Sequence, residues 1–168
     1  MQLLVIRHAI AEERDEFART GQPDSERPLT DYGRRRMRRN ARGLQRVVQR
    51  PDALATSPFT RAAETARIVA DTLGVVSIEV IDALTPEHRP RDLVPWLSRQ
   101  ATDATVAVVG HEPHLGALIT WLVCGREEAN AELKKGGVCL LDLGSHPEPG
   151  SAVLHWLLTP AQLRAIAD

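Results

Sequence analysis

Cysteine is scarce in this chain of 168 residues, and the two that occur do not support a disulfide scaffold. Cys124 and Cys139 sit in apolar segments without CxxC or Cys/His ligand spacing, so they read as buried, reduced thiols. Lysine is just as rare: Lys134 and Lys135 are the only two among 21 basic side chains. Arginine supplies the rest, and its planar fork suits bidentate recognition of phosphate or carboxylate. Long hydrophobic runs are missing too. No apolar stretch approaches the roughly 20 residues that a membrane helix needs, and the start lacks a basic segment followed by an apolar one. These absences predict a soluble, unexported, cytoplasmic protein with no membrane contact. A net charge of −1 excludes a general polyanion binder. No linker, repeat or low-complexity stretch interrupts residues 1–168, which are expected to form one domain burying roughly 70% of its unfolded surface.

The chain opens on Leu3-Leu4-Val5-Ile6-Arg7-His8. An apolar run without polar alternation reads as a strand buried on both faces, and ligands collect at the C-terminal edge of sheets built from such strands. Alone, Arg7-His8 is a loop detail; its weight depends on what reaches the same edge. Residues 12–27 follow as a charged loop with at most one helical turn, and loops of this length are usually functional or mobile. Thr30 is an N-cap, and Met37, Ala41, Leu44 and Val48 mark the buried face of a helix that Pro51 stops. Its other face carries Arg34, Arg35, Arg36, Arg38, Arg39, Arg42 and Arg46. Without interleaved aromatics this is no nucleic-acid surface; it reads as a solvated face, with docking of an acidic partner as the alternative.

Residues 53–56 form a second strand, and a helix starts at its end, with Arg61 near the first turn and Gly74 as the stop. Cationic side chains oppose the dipole there, so Arg61 needs a reason of its own. Residues 75–81 supply a third strand, and a polar connection containing Glu87 leads to a helix around Leu93, Val94 and Leu97. Residues 105–109 form a fourth strand ending in Gly110-His111-Glu112-Pro113-His114, followed by a helix through Val123. Residues 136–143 and 152–158 read as an antiparallel hairpin, and a last helix follows Thr159-Pro160. The alternation predicts a three-layer α/β/α fold with a mostly parallel sheet and an antiparallel C-terminal edge.

In that fold Arg7, His8, Arg61 and His111 meet at one edge as a cationic pocket suited to phosphate. His8, His111 and His114 could also ligate a metal, but the arginines would repel a cation, so no metal is expected. Arg7-His8-Ala9, Ser57-Pro58 with Arg61-Ala62 and Glu64-Thr65-Ala66, and Gly110-His111-Glu112-Pro113 together resemble the motifs of the histidine phosphatase, or phosphoglycerate-mutase-like, superfamily. The small size, Arg27-Pro28-Leu29-Thr30, Leu84-Thr85-Pro86 and the Trp156 to Pro160 segment are similar to the SixA-type phosphohistidine phosphatases.

The resemblance implies a metal-independent phosphatase without cofactor. His8 would be the nucleophile and carry the phosphoryl group. Arg7, Arg61 and a protonated His111 would hold the phosphate oxygens, with Arg27 a further candidate contact. Like-charge repulsion from the arginines should keep His8 neutral. Ala9 stands where the family usually has glycine. The general acid is Glu87, Glu112 or no protein group, because a protonated imidazole leaves readily. The implied substrate is phosphohistidine in a partner protein such as a histidine phosphotransfer domain. A small phosphate ester, or a phosphate-binding module without catalysis, are the alternatives, and a monomer is favoured.

Overall fold

Along β1 (Gln2–Arg7) the side chains alternate between two apolar layers, which places this strand inside the sheet. Leu3 and Val5 enter one layer and Leu4 and Ile6 the other; all four are fully buried in the computed structural model, which describes residues 1–168. Each such burial contributes about 2 kcal/mol, and a one-residue slip would drag Arg7 inward. Arg7 and His8 are therefore fixed at the strand end.

Five strands join β1: β2 (Ala53–Thr56), β3 (Ile78–Val80), β4 (Thr105–Gly110), β5 (Val138–Asp142) and β6 (Val153–Leu158). The order is β3-β2-β4-β1-β5-β6, parallel from β3 to β1, with β5 antiparallel to both β1 and β6. After the short α1 (Arg14–Ala18) come α2 (Asp31–Gln45) and α3 (Thr60–Leu73), which with α6 (Pro160–Ala167) cover one face around Met37, Val69 and Leu163. On the opposite face lie α4 (Val94–Leu97) and α5 (His114–Cys124), around Trp96, Leu118 and Leu122. This is the three-layer α/β/α arrangement expected from the sequence.

Several boundaries differ from expectation. The helix capped by Thr30, whose hydroxyl accepts the Gly33 N–H at 2.9 Å, ends at Gln45 rather than near Pro51. β3 keeps only three ladder residues, and Val76 before it is 96% exposed. The helix around Leu93 is a 3-10 turn (Pro90–Leu93) and the single turn of α4. Pro95 cannot donate a backbone N–H, so a longer helix cannot run through it. Cys139 is buried, with its thiol pushed up to about 12 by burial, but Cys124 is exposed at the end of α5; both are free. No helix is long and apolar enough to cross a membrane.

The charged loop after β1 is pinned at both ends. Ala11 bridges to Leu29, Glu12 N–H donates to Pro28 O at 3.0 Å, and Leu29 N–H donates to Glu64 Oε2 at 2.8 Å. It contains α1 and a 3-10 turn at Asp24–Glu26, and that turn meets the start of α3 through Asp24.

Candidate active site

His8 continues β1 into the β4 edge, its N–H donating to Gly110 O at 3.0 Å. The next residue is held from the other side, where Ala9 N–H donates to Thr65 Oγ1 at 3.0 Å and Thr65 in turn donates to Arg61 O at 2.7 Å. His8 is 6% exposed. Its Nδ1 lies 2.7 Å from Ala9 O, an acceptor only, so Nδ1 carries the proton. Nε2 is left with its lone pair. Burial first, then the charges of Arg61, Arg7 and Arg27, pull the His8 pKa down to about 3 despite the Ala9 hydrogen bond. Neighbouring cations were expected to do this; burial does more.

Arg61 is 2% exposed in the first turn of α3. Its Nη1 donates to Asp24 O at 2.8 Å and its Nη2 pairs with Asp24 Oδ2 at 3.1 Å. Asp24 also accepts from Arg27 Nε at 2.8 Å, and Arg27 Nη1 donates to Glu12 O at 2.6 Å. Burial opposes ionisation of Asp24, but the Arg27 hydrogen bond and the charges of Arg61 and Arg27 hold its carboxyl below the usual range. Asp24 is thus the reason a cation tolerates the start of α3. Arg7 Nη1 donates to Leu133 O at 2.6 Å, and its Nε, like that of Arg61, is buried without a partner.

His111 follows β4 and lies 5.1 Å from His8, centroid to centroid. Its Nε2 meets Ser57 Oγ at 2.9 Å, while Nδ1 has no partner. Phe59 packs on the His111 ring at 5.0 Å and under the Arg61 guanidinium at 4.9 Å, linking the two. Protonation of His111 is expected against a bound dianion; without one, burial first, then His8, Arg61, His114 and Arg27, pull its pKa down to about 2 and hold it neutral.

The two candidate acids part here. Glu112 Oε1 accepts the Leu133 N–H at 2.9 Å and Oε2 accepts the Gly116 N–H at 3.1 Å, so both oxygens tie the start of α5 to the residue that holds Arg7. Glu87 is exposed on the connection after β3. No three His, Cys, Asp or Glu side chains converge in a metal-binding cluster, so His114 does not join His8 and His111 as a ligand set.

Sequence reading missed Asp24, Ser57 and Phe59 as site-builders. Ser57 and Phe59 lie in the segment already singled out between β2 and α3, and their spacing carried a usable signal. Asp24 had none, because its role depends on how the loop folds back.

Acid should destabilise this protein through His8 and His111. Both are neutral in the fold, but in the unfolded chain they titrate near 6.5, so between there and about 3 the unfolded state binds more protons. Their contribution is complete above that window and is lost as pH falls through it. Each pKa unit is worth about 1.4 kcal/mol, so the loss amounts to several kcal/mol. Denaturant midpoints measured against pH should fall across the window in the wild type, and His8→Asn/His111→Asn should flatten the slope.

Comparison with known proteins places the chain in a family. The histidine phosphatase superfamily (branch 1) matches residues 3–86, the segment holding Arg7, His8, Asp24, Ser57 and Arg61. An uncharacterized protein of Picosynechococcus is 33% identical over 147 residues, covering 86% of this chain and 87% of that one. Phosphohistidine phosphatase SixA of Escherichia coli strain K12 is 29% identical over 167 residues, covering 98% of this chain and 97% of that one. A structure of the protein histidine phosphatase SixA complexed with tungstate superposes with a TM-score of 0.81 at 28% identity, covering 97% of this chain and 99% of that chain. The chain therefore belongs to branch 1 of the histidine phosphatase superfamily, and within it to the SixA type.

Proposed function

We propose that the protein hydrolyses phosphohistidine in a partner protein through a phosphorylated His8, without a metal ion. The observation that carries this reading is the tautomer of His8: Nδ1 is tied to Ala9 O, and Nε2 stays unprotonated beside Arg7, Arg27 and Arg61. A neutral imidazole with its lone pair set among cations is a nucleophile matched to a dianionic phosphoryl group. The Nε2 lone pair forms a bond to phosphorus as the bond from phosphorus to the substrate imidazole breaks. The departing imidazole takes its proton from solvent. Water then attacks phosphorus, the bond to Nε2 breaks, and inorganic phosphate leaves with His8 neutral again.

Arg7 and Arg61 hold the phosphoryl oxygens in both steps, and Arg27 steadies Asp24 beside them. The incoming dianion supplies the negative charge that His111 lacks in the free protein, and a proton then becomes favourable there. Glu112 acts by position, since both its oxygens are engaged by backbone N–H groups. The similarity to a SixA structure holding tungstate, itself an oxyanion, supports the phosphate site. Two free thiols suit a cytoplasmic setting.

The test is competition between substrates. A phosphohistidine-bearing phosphotransfer domain should lose its phosphate orders of magnitude faster than a panel of small phosphate esters, with chelators making no difference. Faster turnover of an ester would make the substrate a small metabolite. No turnover of any donor would leave a phosphate-binding module.

A further inference from the structure

Beside the phosphate site, on the same C-terminal edge of the sheet, lies a cavity of about 730 Å3. His8, Arg61 and His111 do not line it, but Arg7 and Ala9, which flank His8, do. The remaining walls come from α2, from the segment before β5 and from the start of α6. Arg7, Arg36, Lys134, Lys135 and Arg164 all contribute, and no carboxylate does. Both lysines of the chain are therefore in this one cavity, although the protein as a whole carries a net charge of −1.

These charges are poorly compensated from within. Arg36 donates to Tyr32 Oη at 2.7 Å and Arg164 donates to Asn40 Oδ1 at 3.0 Å, both neutral acceptors. Lys134 pairs with Glu132 at 3.2 Å only in solvent, and Lys135 makes no ion pair. The arginine face of α2 is thus not uniformly solvated. Arg34 and Arg39 are spent on Glu64 and Asp168, whereas Arg36 turns to the cavity with its charge unanswered. Five like charges around one concavity repel one another unless an anion enters.

Cavities of roughly 300–1,000 Å3 accept whole ligand groups, so this one has room for more than a single carboxylate. Its floor includes Ile10 and Met37, which suits the aliphatic stems of acidic side chains. An ester phosphate bound at His8 would not extend into it, whereas residues adjoining a phosphohistidine would. We propose that this cavity binds acidic side chains flanking the phosphohistidine, so that the enzyme selects phosphohistidine in an acidic context. The inference rests on the phosphatase reading of the neighbouring site.

The test compares two phosphohistidine peptides, one flanked by Asp and Glu and the other by Asn and Gln. Wild-type kcat/KM should favour the acidic peptide by about tenfold or more, with the preference fading in salt. Lys134→Gln/Lys135→Gln, two exposed side chains, should bring the ratio near one. A wild-type ratio near one, or a ratio that survives in the double variant, overturns the proposal. If neither peptide is turned over, the phosphatase reading has failed separately. Fluorescence anisotropy with the unphosphorylated acidic peptide then decides. Binding weakened about tenfold by the double variant supports the cavity, and absent or unaffected binding overturns it.

Discussion

His8→Ala should turn over phosphohistidine at least about ten-thousand-fold more slowly than the wild type, with no phosphoenzyme formed. Alanine removes the Nε2 lone pair that is to attack phosphorus. The arginines remain, so phosphate should still bind. An inert enzyme with retained affinity is the expected pattern, readable by calorimetry with inorganic phosphate beside the kinetic assay. The fold should survive, since His8 contributes one side-chain hydrogen bond, to Ala9 O, and carries no charge in the folded state.

Arg61→Ala is the second large effect, expected at about a thousandfold in kcat/KM. Part of this is the lost donor to the phosphoryl oxygens, typically worth about 3 kcal/mol in a preorganised site. The remainder comes from Asp24. With Arg61 gone its carboxylate keeps Arg27 but leaves a negative charge facing the site, where it repels the dianion. Arg61→Ala/Asp24→Asn should therefore recover part of the loss. A double variant as poor as the single would show that Asp24 does not act on the phosphate site. Arg61 is itself buried, so its loss removes packing as well as charge, and unfolding midpoints belong beside the rates.

What could be read from the sequence follows from how local each feature is. β1 and β4 are short apolar runs buried on both faces, and the residues that follow them must emerge at one edge; Arg7, His8 and His111 were placed by this alone. Arg61 was conspicuous because a cation opposes the start of a helix. Its compensation was not visible, since Asp24 reaches it only after the loop doubles back and bridges Ala11 to Leu29. The same distance hid the second task of Glu112, which needs Leu133 to be folded against it. The proton expected on His111 belongs to the bound dianion, and the burial that otherwise holds it neutral was not visible in the sequence. The cavity beside Arg7 escaped entirely. It is made by four separate segments, and nothing in their local patterns shows that they share a space.

A phosphoryl group carried on His8 is the central prediction. Wild-type protein mixed with a phosphohistidine donor, quenched in alkaline denaturant during turnover and digested, should yield a peptide containing His8 that is heavier by one phosphoryl group, the label vanishing once donor is exhausted. Turnover at full rate with no label on that peptide at any quench time, or with the label on another residue, would contradict it.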